Sequence, residues 1–156
     1  MWPLVVGIGV VSILSKLFSD KPQSSPKRRI RKKRVFISFA IEDVKYRDFL
    51  IIQSKKPNSP FTFIDMSVKK PWSEIVWKDK CRTKIKKCDG MIVLISKNTW
   101  HSSGTRWEIK CAYEEKIPVV AMQVKKNNPG AKLPELGNAK VFAWNWPNLS
   151  SIVDKF

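Results

Sequence analysis

Five short apolar runs separated by segments of helical period predict an α/β fold: a five-stranded, mostly parallel sheet with helices on both faces. Three observations carry this expectation. The runs at 34–39 (RVFISF), 91–95 (MIVLI) and 117–124 (IPVVAMQV) are nearly continuous in apolar residues, as strands covered on both faces are. The stretches between runs are long enough for crossover helices, which parallel neighbours require. The chain has 156 residues, enough for one domain with a real core, and no internal repeat.

Residues 2–14 (WPLVVGIGVVSIL) are apolar apart from Ser12, and Leu17 and Phe18 extend the run. Its length lies near the lower limit of ~17 to 25 residues for a membrane-spanning helix. Gly7 and Gly9 weaken a soluble helix but are common in membrane ones. Residues 1–19 are therefore expected to form an N-terminal transmembrane anchor. A cleaved signal peptide fits less well, because the positive charge follows the apolar run and no small-residue cleavage site appears.

Residues 20–33 read as a Ser/Pro-rich linker that runs into a polybasic juxtamembrane segment. Lys27, Arg28, Arg29, Arg31, Lys32, Lys33 and Arg34 follow the apolar run closely. Such a cluster keeps the next domain on the cytoplasmic side and lies on anionic headgroups. A nucleic-acid patch is the competing reading, since basic runs do not distinguish the two. The formal charge is +17, but residues 1–34 hold nine of the thirty basic residues and one acid; the remainder carries +9.

The globular domain is expected over 34–156. After the first strand, Glu42 and Asp43 favour a helix start, with Val44, Tyr46, Phe49, Leu50 and Ile52 as its apolar positions. A break at 55–60 (KKPNSP) precedes a second strand at 61–65. Ser73 is a plausible cap for a helix whose stripe is Trp77, Cys81, Ile85 and Cys88. Asp89-Gly90 leads into the central strand, 105–116 reads as a helix, and 117–124 as the fourth strand. Residues 127–138 read as a long loop, 140–144 as the fifth strand and 149–156 as a short last helix.

Several site classes are missing from the sequence. It has no G-x-G-x-x-G after a strand and no P-loop. The only histidine, His101, leaves no convincing triad. Cys81, Cys88 and Cys111 lack the spacing of a zinc site, so no metal is expected and the compartment should be reducing. The acids Glu42, Asp43, Asp65 and Glu108 all follow predicted strands. In an open parallel sheet such positions converge on the crevice at the carboxyl edge. For Glu108 a second reading has equal weight, because Thr105-x-x-Glu108 matches a capping box that merely closes a helix start.

Four blocks in order, RVFISFAIED, FTFIDMSVKKPW, CDGMIVLISKNT and RWEIKCAYEEKIPVVAM, resemble the TIR-like domain of the ThsB family of bacterial Thoeris anti-phage defence. That resemblance implies a flavodoxin-like TIR fold of strand order 2-1-3-4-5, and cleavage of NAD at the nicotinamide ribosyl bond. NAD is then substrate, with no resident cofactor. The family's catalytic glutamate falls on Glu108, and its substrate contacts fall on Ser38 and Phe39 and on the loop from Asp65 to Trp72. Trp72 or Trp107 is expected to stack on the ring. Relatives place a tryptophan four positions before the glutamate; here that residue is Gly104, and Trp100 is the candidate to fill the role.

The resemblance further implies self-association through TIR-TIR contacts and a downstream effector that senses a cyclic ADP-ribose-type signal; with the anchor expected from the apolar run, the protein is placed single-pass at the bacterial inner membrane with its domain facing the cytoplasm. Two rivals remain: a catalytically silent interaction module and a basic nucleic-acid-binding protein.

Overall fold

The computed structural model describes residues 31–66 and 72–156. The sheet centres on strand β3 (Gly90–Ile95), in which every residue is buried. Strand β1 (Lys33–Ser38) pairs with it on one side and with β2 (Phe61–Ile64) on the other. Strand β4 (Val119–Gln123) pairs with the opposite side of β3 and with β5 (Val141–Ala143). Every pairing is parallel, and the order is β2-β1-β3-β4-β5, as the resemblance implies.

Alternation along the strands divides the core in two. Phe36, Met91, Val93, Ile95 and Ala121 meet helices α2 (Glu74–Lys86) and α3 (Ser103–Glu114) on one face. Val35, Ile37, Ile92, Leu94 and Met122 meet α1 (Val44–Ser54) and α4 (Trp146–Asp154) on the other. Each fully buried aliphatic side chain contributes roughly 1.5–3 kcal/mol relative to exposure, so β3 anchors both layers. Arg82 ties α2 to α3 through Glu114 and Glu115, both at 2.7 Å.

The predicted apolar segment 1–19 and the basic residues Lys27, Arg28 and Arg29 lie outside the described residues. Among the described residues no helix is long and apolar enough to cross a membrane. The side chains of two of the other basic residues expected at a membrane surface, Arg31 and Lys33, are engaged by the domain itself. Arg31 pairs with Asp89 at 2.7 Å, the Arg34 backbone N–H donates to the same carboxylate at 2.8 Å, and Lys33 Nζ donates to the Phe156 carbonyl at 2.5 Å. The first strand accordingly begins at Lys33, inside the stretch expected as linker.

Local chemistry sets the remaining boundaries. Ile41–Asp43 is a 3-10 turn, and α1 starts only at Val44. Asp43 makes no cap there, because its buried carboxylate accepts from Ser96 Oγ and from Asn98 Nδ2, the latter at 3.0 Å. Ser73 caps α2 as expected, accepting from the Val76 N–H. Lys116 adopts φ 57° to end α3, so β4 begins two residues later than predicted, at Val119. Asn145 caps α4, with Pro147 in its first turn, which moves that helix three residues earlier.

The 127–138 loop is tied to the sheet rather than loose. Leu133 and Leu136 are buried, and Gly130 exchanges two hydrogen bonds with the Gln123 side chain, at 2.8 and 3.0 Å. A Cβ at Gly130 would lie 2.0 Å from the Ser96 carbonyl oxygen. Gly130→Ala must push apart two backbone segments and is expected to cost ~1–3 kcal/mol. Chemical denaturation checks this; an unchanged midpoint would show that the loop gives way freely.

Candidate functional site

The crevice lies at the carboxyl edge of the sheet, where β1 and β3 feed the 3-10 turn at Ile41–Asp43 and the start of α3. A cavity of about 360 Å³ opens there. Glu108 and Phe39 line it together with Ile41, Glu42, Met66 and Trp77, and His101 to Thr105 form its rim.

Glu108 reaches the cavity because of how α3 is started. The helix cap is Ser102, whose Oγ accepts from the Thr105 N–H at 3.3 Å and bonds Thr105 Oγ1 at 2.9 Å. Thr105 is thus the third helical residue, and Glu108 sits in the second turn. The capping-box reading of Thr105 and Glu108 is overturned: a carboxyl in the second turn is past the unpaired N–H groups of the helix start. Its side chain turns inward instead and is 7% exposed.

Burial pushes the Glu108 carboxyl up to about 8, and the nearby Asp65 charge adds to the shift. Ser38, buried at the end of β1, works in the opposite direction by favouring the charged form. As placed, its Oγ completes no hydrogen bond. A buried hydroxyl whose one polar neighbour is a buried carboxyl is a costly arrangement for stability alone. Asp65 stands outside the cavity lining, paired with Arg47 at 3.2 Å, while Lys84 donates to its backbone carbonyl. Arg47 in turn lies over the Phe39 ring, 5.6 Å from its centre.

The structure brings Phe39 to this cavity but separates the three tryptophan candidates from it. Trp107 neighbours Glu108 in sequence but faces away from it, against Trp77 at 5.4 Å. Trp100 is half exposed and held outward, with the Arg106 guanidinium 4.6 Å from its ring. Trp72 packs beside the α2–α3 core with Lys80 at 5.2 Å from its ring. Residues 67–71 of the loop expected to contribute lie outside the described residues.

Trp77 is the tryptophan that lines the cavity, beside Phe39, from the first turn of α2. The sequence presents it as the first member of a core stripe. The signal that separates it from the stripe is its place in the first turn after a strand, which is the turn nearest the carboxyl edge. A Cβ at Gly104 would lie 3.8 Å from the Trp77 ring, so the indole flanks the space beside the glycine.

Cys81, Cys88 and Cys111 are free and buried, and burial pushes each thiol up, leaving little thiolate for nucleophilic work. Among the described residues no group of His, Cys, Asp and Glu is arranged to hold a metal ion.

A family model described as "Thoeris protein ThsB, TIR-like domain" matches residues 36–129. Solved structures share the architecture at low identity. A 2-desoxiribosyltransferase from Leishmania mexicana superposes with a TM-score of 0.57 at 13% identity, covering 78% of this chain and 97% of that one. The TIR domain of the Toll-related receptor TRR-2 from Hydra magnipapillata gives 0.56 at 11%, covering 78% and 91%. A CMP N-glycosidase from Clostridium botulinum gives 0.50 at 20%, covering 80% and 100%. No curated protein matches the sequence significantly.

A carboxyl raised to about 8 in the folded state binds a proton that the unfolded chain releases near 4.5. Its contribution to stability is complete below the unfolded value and is lost as pH rises through the folded one. Glu108→Gln abolishes that loss. Wild type and variant should differ least near pH 4 and diverge by several kcal/mol in favour of the variant by pH 9. Urea titrations across this range check it; parallel pH profiles would show an ordinary, solvated carboxyl.

Proposed function

The chain belongs to the TIR-like domain family of the Thoeris protein ThsB, and we propose that it cleaves NAD at the nicotinamide ribosyl bond, with Glu108 as the catalytic carboxylate. The observation that carries this reading is the Glu108 carboxyl, buried at the carboxyl edge of the sheet beside an open cavity. Two of the fold neighbours are named a desoxiribosyltransferase and a CMP N-glycosidase, names that fit work at a ribosyl bond and so support this reading.

The chemistry suits so sparse a site. Nicotinamide in oxidised NAD is already a cationic leaving group. The C1′–N bond breaks with its electron pair going to the ring, so no general acid is needed, and the ribosyl carbon passes through an oxocarbenium-like state. The arriving cation favours the ionised form of Glu108. The carboxylate then stabilises charge developing at C1′ and accepts from the ribose hydroxyls, in a site where little water screens it. Ser38 lies beside the carboxyl, and Trp77 and Phe39 supply apolar walls for the nicotinamide ring. Water as acceptor gives ADP-ribose; a nitrogen of the substrate's own adenine gives a cyclic signal for a downstream effector.

In this reading the protein acts in anti-phage defence, anchored by residues 1–19 at the bacterial inner membrane with the domain in the cytoplasm. Assembly there through TIR-TIR contacts would complete its function. A second reading, a catalytically silent interaction module, has its own support: Ile41, Phe49 and Ile52 are apolar and 53–64% exposed beside α1.

Nicotinamide release from NAD by the full-length, multimerised protein decides between them. Wild type should release it, and Glu108→Gln should lower kcat by ~10²-fold or more. Release by neither protein removes the enzymatic reading, and equal release by both removes Glu108 from the mechanism. In free enzyme, kcat/KM should rise with pH through about 8 as the carboxyl ionises. A flat profile from pH 6 to 9 would contradict it.

A further inference from the structure

A second cavity, of about 520 Å³, lies along the outer side of the α2–α3 pair. It meets the Glu108 cavity at Trp77, Ser103 and Gly104, which line both. Its own walls are chemically distinct, with Lys78, Arg106 and Lys110 beside the Trp107 ring. We infer that the two cavities form one groove, in which the outer part holds the diphosphate-bearing half of a dinucleotide while the glycosidic end lies against Glu108. This rests on the proposed cleavage of NAD and adds where the rest of the substrate is held.

Gly104 is the saddle between the two parts. A Cβ built there would find only the Trp77 ring within 4 Å, at 3.8 and 3.9 Å, which is ordinary van der Waals contact. The space over Gly104 is therefore open.

The outer part carries a positive excess. Two carboxylates face it, Glu74 and Glu135. Glu74 pairs with Lys78 at 2.6 Å and Glu135 with Arg106 at 3.0 Å. Among the described residues Lys110 is in no ion pair, and its charge is felt by Glu135 across the same cavity. The Glu74–Lys78 pair is exposed and exchanges readily for a phosphate, because such pairs are worth little in water. Arg106 is fixed instead, between Glu135 and the Trp100 carbonyl, and serves as a stationary positive wall. Trp107 adds a flat surface that a base or sugar can cover.

The test is calorimetric titration of the full-length protein with two probes that sample the groove differently. ADP-ribose reaches the outer part, whereas nicotinamide riboside carries no phosphate and needs only the Glu108 cavity. Lys110→Glu should weaken ADP-ribose by about tenfold, the worth of one charged contact, and leave nicotinamide riboside unchanged. Lys78→Glu should produce the same selective loss by turning a second cation of the outer part into a carboxylate. Lys110 is exposed and Lys78 partly exposed, so neither substitution opens the core. The groove is overturned if wild type does not bind ADP-ribose, if neither variant weakens it, or if both probes weaken in parallel. ADP-ribose binding needs no turnover. An inactive wild type that still shows the selective losses therefore refutes the cleavage but keeps the groove, and an active one without them does the reverse.

Discussion

A single carboxyl is kept out of water at the edge of the sheet, and much of the local structure is arranged to keep it there. Glu108 is 7% exposed, faces the buried Ser38 hydroxyl and feels the charge of Asp65. Burying an ionisable group without a full set of partners costs several kcal/mol in a small domain whose total stability is ~5–15 kcal/mol. That cost is met by the fully buried β3 strand and the two helical layers it anchors. The Ser102 cap then places the carboxyl in the second turn of α3, where it points inward.

The loops at the same edge are braced from behind. Asp43, on the turn after β1, accepts from Ser96 and Asn98 on the loop after β3, which joins the two connections that frame the cavity. Gly130 closes on the same Ser96 from the other side. Arg47 holds Asp65 close enough to act on Glu108 without entering the cavity. The site is therefore small and rigidly framed on the β1 and β3 side, and it opens towards α2 and the first turn of α3.

Most of the fold was legible in the sequence because continuous aliphatic runs mark buried parallel strands whatever packs upon them. The boundaries that shifted did so for side-chain reasons that periodicity does not carry: Asp43 is spent on Ser96 rather than on capping, and Lys116 turns the chain before β4. Glu108 could be found from its place after a strand. The neighbouring aromatics misled because successive helical side chains diverge by about 100°, so Trp107 cannot share the direction of Glu108. Trp100 is drawn outward by Arg106. Trp77 was hidden inside a stripe whose spacing is that of any core helix, and only the crossing of α2 over the carboxyl edge makes it part of the site. The glycine at 104 leaves space that Trp77 flanks.

The most direct measurement is the titration of the Glu108 carboxyl itself, by ¹³C NMR of the full-length protein, assigned by difference from Glu108→Gln. It would be made with and without a carbocyclic NAD analogue that cannot be cleaved. A poised catalytic carboxyl titrates near 8 when free and falls when the cationic nicotinamide binds beside it. A midpoint near 4.5 that ignores the analogue would contradict the account, since the group would then be neither shielded from water nor in contact with the substrate's charge.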